Sequence, residues 1–193
     1  MRETPSQTAG PYLHIGLTPL AAGLGAPFAA DLGASMIRGD ARGERIAVSG
    51  RVTDGLGAPV GDAVVEAWQA DAAGLFAGAP GADPAFAGWG RSPCDADGTF
   101  RFDTIRPGPV AGPGGAAQAP HVSLWIVARG INLGLHTRLY FPDEAEANAR
   151  DPLLARIDPP GRAATLVARM EAPGSYRLDI RIQGEGETVF LDI

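Results

Sequence analysis

A chain of 193 residues that is 45% hydrophobic and 20% charged can close one globular core, and one domain is the expected organisation. Its 22 acidic residues outnumber 16 basic ones, and the net charge of -6 would repel a phosphate backbone, so nucleic acid is excluded as the expected partner. No apolar run approaches the roughly 18 residues of a membrane helix, and residues 1–7 lack the apolar stretch of a secretion signal, which predicts a cytoplasmic location. The single cysteine, Cys94, has no intrachain partner for a disulfide and is expected to be structural.

The 27 glycines and 17 prolines are scattered as turn punctuation between apolar stretches, which favours many short strands. Residues 1–44 have little periodicity, so they are either disordered or an arm lying on something else; their Pro and aromatic residues favour the arm, one that packs on a partner chain for want of its own core, leaving 45–193 as the folded domain. At 45–53, Ile46, Val48 and Val52 alternate, and a turn at 54–57 leads to a second strand over 63–70, so a hairpin is predicted with Trp68 in the core. Trp89, between two glycines, is assigned to a loop. Asp95 to Gly98 is a turn, with too few of the remaining ligand positions for a calcium loop, and it leads into a strand with Phe100 and Phe102 on one face. The nearly continuous apolar run 122–128 predicts a central strand covered on both faces, with Trp125 inside. Further strands are expected at 136–141 and at 176–182, where Tyr176, Leu178, Ile180 and Ile182 alternate with charged residues. Asp143, and Asp151 followed by Pro152, carry the signatures of two short helix starts. The sum is an all-β fold, a β-sandwich with a long N-terminal arm and a few short helices.

Four segments, in this order, carry a resemblance: Thr4-Pro5-Ser6-Gln7-Thr8-Ala9-Gly10-Pro11-Tyr12, Val64-Val65-Glu66-Ala67-Trp68-Gln69-Ala70-Asp71, Thr104-Ile105-Arg106-Pro107-Gly108, and Pro120-His121. Followed by Ala128-Arg129-Gly130-Ile131-Asn132 and the tail 182–190, they resemble the intradiol aromatic-ring dioxygenases over nearly the whole chain. In iron-bearing members of that family two Tyr and two His hold a ferric ion. The matching positions here are Phe76, Val110, His121 and Ser123, so one ligand of four remains, and one imidazole does not hold ferric iron at useful affinity. From the residues alone, His121 is a hydrogen-bonded strand histidine, while His14 and His136 have no ligand-like neighbours.

The resemblance therefore implies a chain without its own metal site and without catalytic residues, partnered in a hetero-oligomer by a beta subunit that holds Fe3+. The reaction implied is cleavage of protocatechuate by O2 to 3-carboxy-cis,cis-muconate. It also implies that Thr8, Gly10, Pro11, Tyr12 and Arg129 wall the partner's substrate pocket. The chemistry agrees: Gly10 permits close backbone approach to a flat ring, Pro11 stiffens the turn, Tyr12 offers a ring and a hydroxyl, and Arg129 can answer a carboxylate. Read without the resemblance, Thr8 to Tyr12 pins the arm to a partner and Arg129 pairs with a surface carboxylate. Two other functions stay open at this point: a self-sufficient intradiol enzyme with relocated ligands, and a non-catalytic β-sandwich that binds a small molecule.

Overall fold

Alternation at 45–53 produces the strand on which one sheet is built. In the computed structural model, which describes residues 8–10, 12–25 and 29–192, β1 (Arg45–Thr53) turns Ile46, Val48 and Val52 into the core. Ten more strands follow in chain order. They are β2 (Val64–Trp68), β3 (Trp89–Pro93), β4 (Thr99–Ile105), β5 (Val110–Ala111), β6 (Ala117–Gln118), β7 (His121–Val127), β8 (Leu135–Tyr140), β9 (Arg169–Ala172), β10 (Ser175–Arg177) and β11 (Ile180–Arg181). The helices are short: α1 (Tyr12–Leu17) and α2 (Ala145–Arg150).

β1 pairs antiparallel with β4 and parallel with β10 and β11, and β9 lies on β10. The second sheet runs β3-β2-β7-β8, antiparallel throughout. Val48, Phe100, Phe102, Tyr176 and Ile180 from the first sheet and Val65, Leu124, Ile126 and Leu139 from the second share one buried cluster. This is the expected all-β sandwich. Cys94 lies in the same core, and burial pushes its thiol up to about 12.

The buried amide of Gln69 ties the sheets together. Its Nε2 donates to Ile105 O at 2.9 Å, and its Oε1 accepts from Thr104 Oγ1 at 2.9 Å. The buried Asp71 accepts from the backbone N–H groups of Ala73, Leu75 and Asp83, which fixes the loop beyond β2. Arg106 donates to Asp143, Glu144 and Tyr176 Oη and lies over the Phe141 ring at 4.2 Å. Every ion pair among the described residues joins an arginine to Asp or Glu.

Several expectations need correction. β1 and β2 do not form a hairpin, because both edges of β1 are taken by β4 and by β10 with β11. Local pairing ends at Thr53 with Pro59, and the chain then crosses to the other sheet. The strand at 176–182 is interrupted at Leu178 and Asp179, where the Asp179 carboxylate accepts from Arg51 N at 3.1 Å. β7 is central in its sheet, yet its burial alternates, so its outer face is only half covered. Trp68 is 52% exposed on that face, and Trp89 heads β3 beside it, with ring centroids 6.3 Å apart. Asp143 does not cap α2 and is drawn instead to Arg106.

Part of the presumed arm belongs to the domain itself. Met36 and Ala41 are in the core, and Gly33 O, Ala85 O and Met36 O accept backbone hydrogen bonds from Arg91, Arg38 and Ala87, each at 2.8 Å.

Gly50 offers a direct test of this packing. A Cβ there would stand 1.9 Å from Leu178 O and 2.6 Å from the Phe100 ring. Gly50→Ala is expected to lower the unfolding free energy by about 3 kcal/mol. Gly16→Ala, which meets nothing within 4 Å, should change it by less than about 0.5 kcal/mol; denaturant midpoints compare the two.

Candidate functional site

The outer face of the β3-β2-β7-β8 sheet follows from strand alternation. Trp89 and Arg91 on β3, Glu66 and Trp68 on β2, His121, Ser123 and Trp125 on β7, and His136, Arg138 and Tyr140 on β8 are set in register across it. Glu66 is paired to Arg91 at 2.5 Å with both side chains 13% exposed, and Arg91 reaches on to Leu17 O at 3.2 Å, which fastens the end of α1 to the sheet. Beside them a shallow hollow of about 450 Å3 is lined by Trp68, Ser123, Trp125 and His136. Phe76, 48% exposed, adds apolar surface in the loop after β2.

At the other end of this face, the segment around Leu153, Leu154, Ile157 and Leu166 packs against Tyr140, whose ring lies beside the buried His121 at 5.6 Å. The Ala119 carbonyl can only accept, so the 2.7 Å contact with His121 Nδ1 places the imidazole proton on Nδ1. Burial, and then the charge of Arg138, push His121 down to about 4. Arg138 Nη1 donates to Gln118 Oε1 at 2.6 Å and to Tyr140 Oη at 3.2 Å. Tyr140 Oη in turn donates to Asp151 Oδ1 at 3.3 Å, and burial raises its phenol to about 12. Asp151 also accepts from the backbone N–H groups of Ala119, Leu153 and Leu154, so the predicted start signal at Asp151 caps a 3-10 turn over Leu154–Arg156.

These residues do not suit a ferric ion. Of the four positions matched to family ligands, Phe76 and Val110 carry no donor, Ser123 is a neutral hydroxyl, and His121 is alone. Among the described residues no group of three or more His, Cys, Asp or Glu is placed to hold a metal ion. Arg138 Nε, buried in the same region, has no hydrogen-bond partner among the described residues.

Three of the five residues expected to wall a substrate come together. Thr8 Oγ1 accepts from Gly130 N at 2.7 Å and makes a long 3.4 Å bond to Ala128 O, so the arm is laced to the loop bearing Arg129. Gly10 and Arg129 line one cavity of about 120 Å3 with Ala9, Leu13, His14 and Asp62. Arg129, 72% exposed, donates through Nε to Asp62, so the surface carboxylate of the residue-only reading is present. Among the described residues no partner contacts the two Nη groups. Tyr12 starts α1 at 78% exposure, and Pro11 lies outside the described residues. Whole ligand pockets run to roughly 300 Å3 or more, so this cavity is too small to be a complete site by itself.

Sequence reading passed over Glu66, Asp62, Gln118 and Arg138. Arg138 carried a signal: His136, Arg138 and Tyr140 alternate with the buried Thr137 and Leu139, which puts them on the face of His121. Asp62 carried none, because its partner is 67 residues away.

Residues 19–184 match a family model described as dioxygenase. The chain is 49% identical to a protocatechuate 3,4-dioxygenase alpha chain of Pseudomonas putida, over 98% of this chain and 96% of that one. It is 41% identical to an alpha chain of the same description from Burkholderia cepacia, over 100% and 98%. A beta chain from Burkholderia cepacia is 37% identical over 80% of this chain and 66% of its own length. Among solved structures, a dioxygenase domain from a Streptomyces fusion protein superposes with a TM-score of 0.55 at 26% identity, covering 78% of this chain and 87% of that one. The fold is shared with a catechol 1,2-dioxygenase of Acinetobacter radioresistens at TM-score 0.62 and 19% identity, covering 83% and 60%.

The depressed His121 predicts an acid-sensitive fold. Unfolded His takes up its proton near pH 6.5 and folded His121 only near 4, so unfolding binds a proton between those values and stability falls as pH is lowered through that window. The loss attributable to this residue is about 3 kcal/mol at most. Denaturant unfolding at several pH values should give a flatter profile for His121→Gln; equal slopes would place the acid sensitivity elsewhere.

Proposed function

The chain belongs to the intradiol ring-cleaving dioxygenase family, and we propose that it is the alpha subunit of a protocatechuate 3,4-dioxygenase whose ferric iron is held by a beta subunit. The observation that carries this reading is the pairing of end-to-end similarity to alpha chains with a ligand set reduced to His121. A self-sufficient enzyme would need an anionic oxygen cluster that the described residues do not assemble. A simple small-molecule binder would leave the exposed Trp68 and Phe76, and the wall made by Thr8, Gly10 and Arg129, without a purpose.

In the assembly, the open sheet face with Trp68 and Phe76 meets the partner, and α1 with the residues before it lies along the boundary. Of residues 1–44, Met36 and Ala41 belong to the sandwich, and the part around Thr8 and α1, laced to this chain through Gly130 and Arg91, presents its outer side to the partner. Tyr12, so exposed here, and Pro11 complete the wall from the arm. The location is the cytoplasm; no helix among the described residues is long and apolar enough to cross a membrane.

The beta subunit's iron supplies activation of the catechol oxygens toward O2. Residues of this chain bind and orient. Arg129 directs its free Nη edge at the ring carboxylate, Gly10 brings backbone close to the ring, and the arm excludes water from the boundary, all of which lower the barrier by positioning.

Two measurements test this. The purified single chain should contain no stoichiometric iron and no ring-cleaving activity, while the reconstituted heteromer should show tyrosinate-to-iron colour; a coloured iron centre in the single chain would sink the proposal. In the heteromer, Arg129→Ala should raise KM for protocatechuate by roughly tenfold, the worth of one charge-assisted bond, and leave catechol, which has no carboxylate, nearly unaffected. Equal losses for both substrates would make Arg129 a structural residue.

A further inference from the structure

The matched ligand positions explain why this chain lacks the means to bind a metal, but they do not explain the cation that stands among them. Arg138 is directly opposite Ser123 across the β7–β8 ladder, and its neighbour on the same face, Tyr140, is opposite His121. Its Nη1 is held by two neutral acceptors, Gln118 Oε1 and Tyr140 Oη, and its buried Nε has no partner among the described residues. Arg138 makes no ion pair among the described residues. Asp151, the nearest carboxylate in this network, spends its oxygens on Tyr140 and three backbone N–H groups. A guanidinium fixed in this way is a full positive charge with little local compensation, on the side of the sheet where His121 presents its Nε2 lone pair.

We propose that Arg138 is a resident cation which fills the charge position of a metal ion beside His121 and Ser123, so that metal is barred from this half of the heteromer even where ligands are restored. The inference rests on the reading that iron belongs to the beta subunit, and it adds a reason why two related chains do not compete for the same ion. Loss of ligands weakens binding passively. A fixed guanidinium opposes any incoming divalent or trivalent cation by direct repulsion, which a half-buried setting screens poorly.

Ser123→His makes the test, because it sets two imidazoles at i and i+2 on one face of β7, a spacing able to chelate a soft or borderline ion. Copper(II) binding is measured by calorimetry on four purified single chains: wild type, Ser123→His, Arg138→Gln, and the double variant, each checked by thermal unfolding. Glutamine at 138 keeps a donor for Gln118 and removes the charge. The double variant is expected to bind copper(II) about tenfold or more tighter than the other three, which should share only background binding through other histidines. If Ser123→His alone binds as tightly as the double variant, Arg138 is no barrier. If the double variant gains nothing, the pocket is closed for another reason; both results overturn the proposal. The parent reading fails separately, through iron in the wild-type chain.

Discussion

The fold depends on one buried amide. Gln69 stands at the end of β2 in one sheet and bonds to Thr104 and Ile105 at the end of β4 in the other, so the two layers are fixed by a directional contact as well as by apolar packing. Hydrophobic burial alone leaves facing sheets free to slide, because it has no direction. A buried amide left without partners would cost about 1 to 3 kcal/mol, so the network favours a single alignment of the layers. The same junction is extended by Gly108, whose N–H donates to Asp71 O at 2.9 Å, and by Arg106, which collects Asp143, Glu144 and Tyr176. Two of the segments that carried the family resemblance are thus each other's partners in space. Their role is to hold the sheet face that carries His121, Trp68 and Trp125 at a fixed level relative to the core.

Much of this was legible from periodicity. The strands at 45–53 and 99–103 formed where alternation placed them, because each has one face on the core and the pattern of burial is written directly into the side chains. Pairing was less legible. Nothing local announces that β1 has both edges occupied or that β10 and β11 run parallel to it, and the hairpin expected of β1 and β2 failed for that reason. At the break between β10 and β11 the Asp179 carboxylate meets Arg51 N, 128 positions earlier, and a long-range contact of that kind leaves no trace in an alternating run. Trp68 and Trp125 were assigned inward on the rule that large aromatics are buried. That rule describes the finished assembly, and these rings lie on a face that the single chain leaves open.

The site divided in the same way. Thr8, Gly10 and Arg129 came from the resemblance, and the fold brings them together through the lacing of the arm to Gly130. Gln118 and Arg138 could not be inferred from any motif, since what matters about them is their joint position around an imidazole, which only the β7–β8 register and the placement of β6 beside it define. The pocket near His121 is therefore better understood as a rebuilt polar network than as an emptied one.

The ion pairs of this fold use arginine alone, and the sequence contains no lysine: all 16 basic residues are arginines. Ammonium groups release their protons near pH 10.4, whereas guanidinium remains charged beyond about pH 12. In alkali the framework of Arg106 with Asp143 and Arg91 with Glu66 therefore keeps its charges. The limit on that side is set by two buried acids: the Cys94 thiol ionises near 9 when unfolded and the Tyr140 phenol near 10, and both only near 12 when folded, so their shares of stability drain away as pH rises through those windows. Base finds no lysine side chain to discharge in this protein, and the thiol in the core and the buried tyrosine beside His121 are where alkaline unfolding gains its purchase.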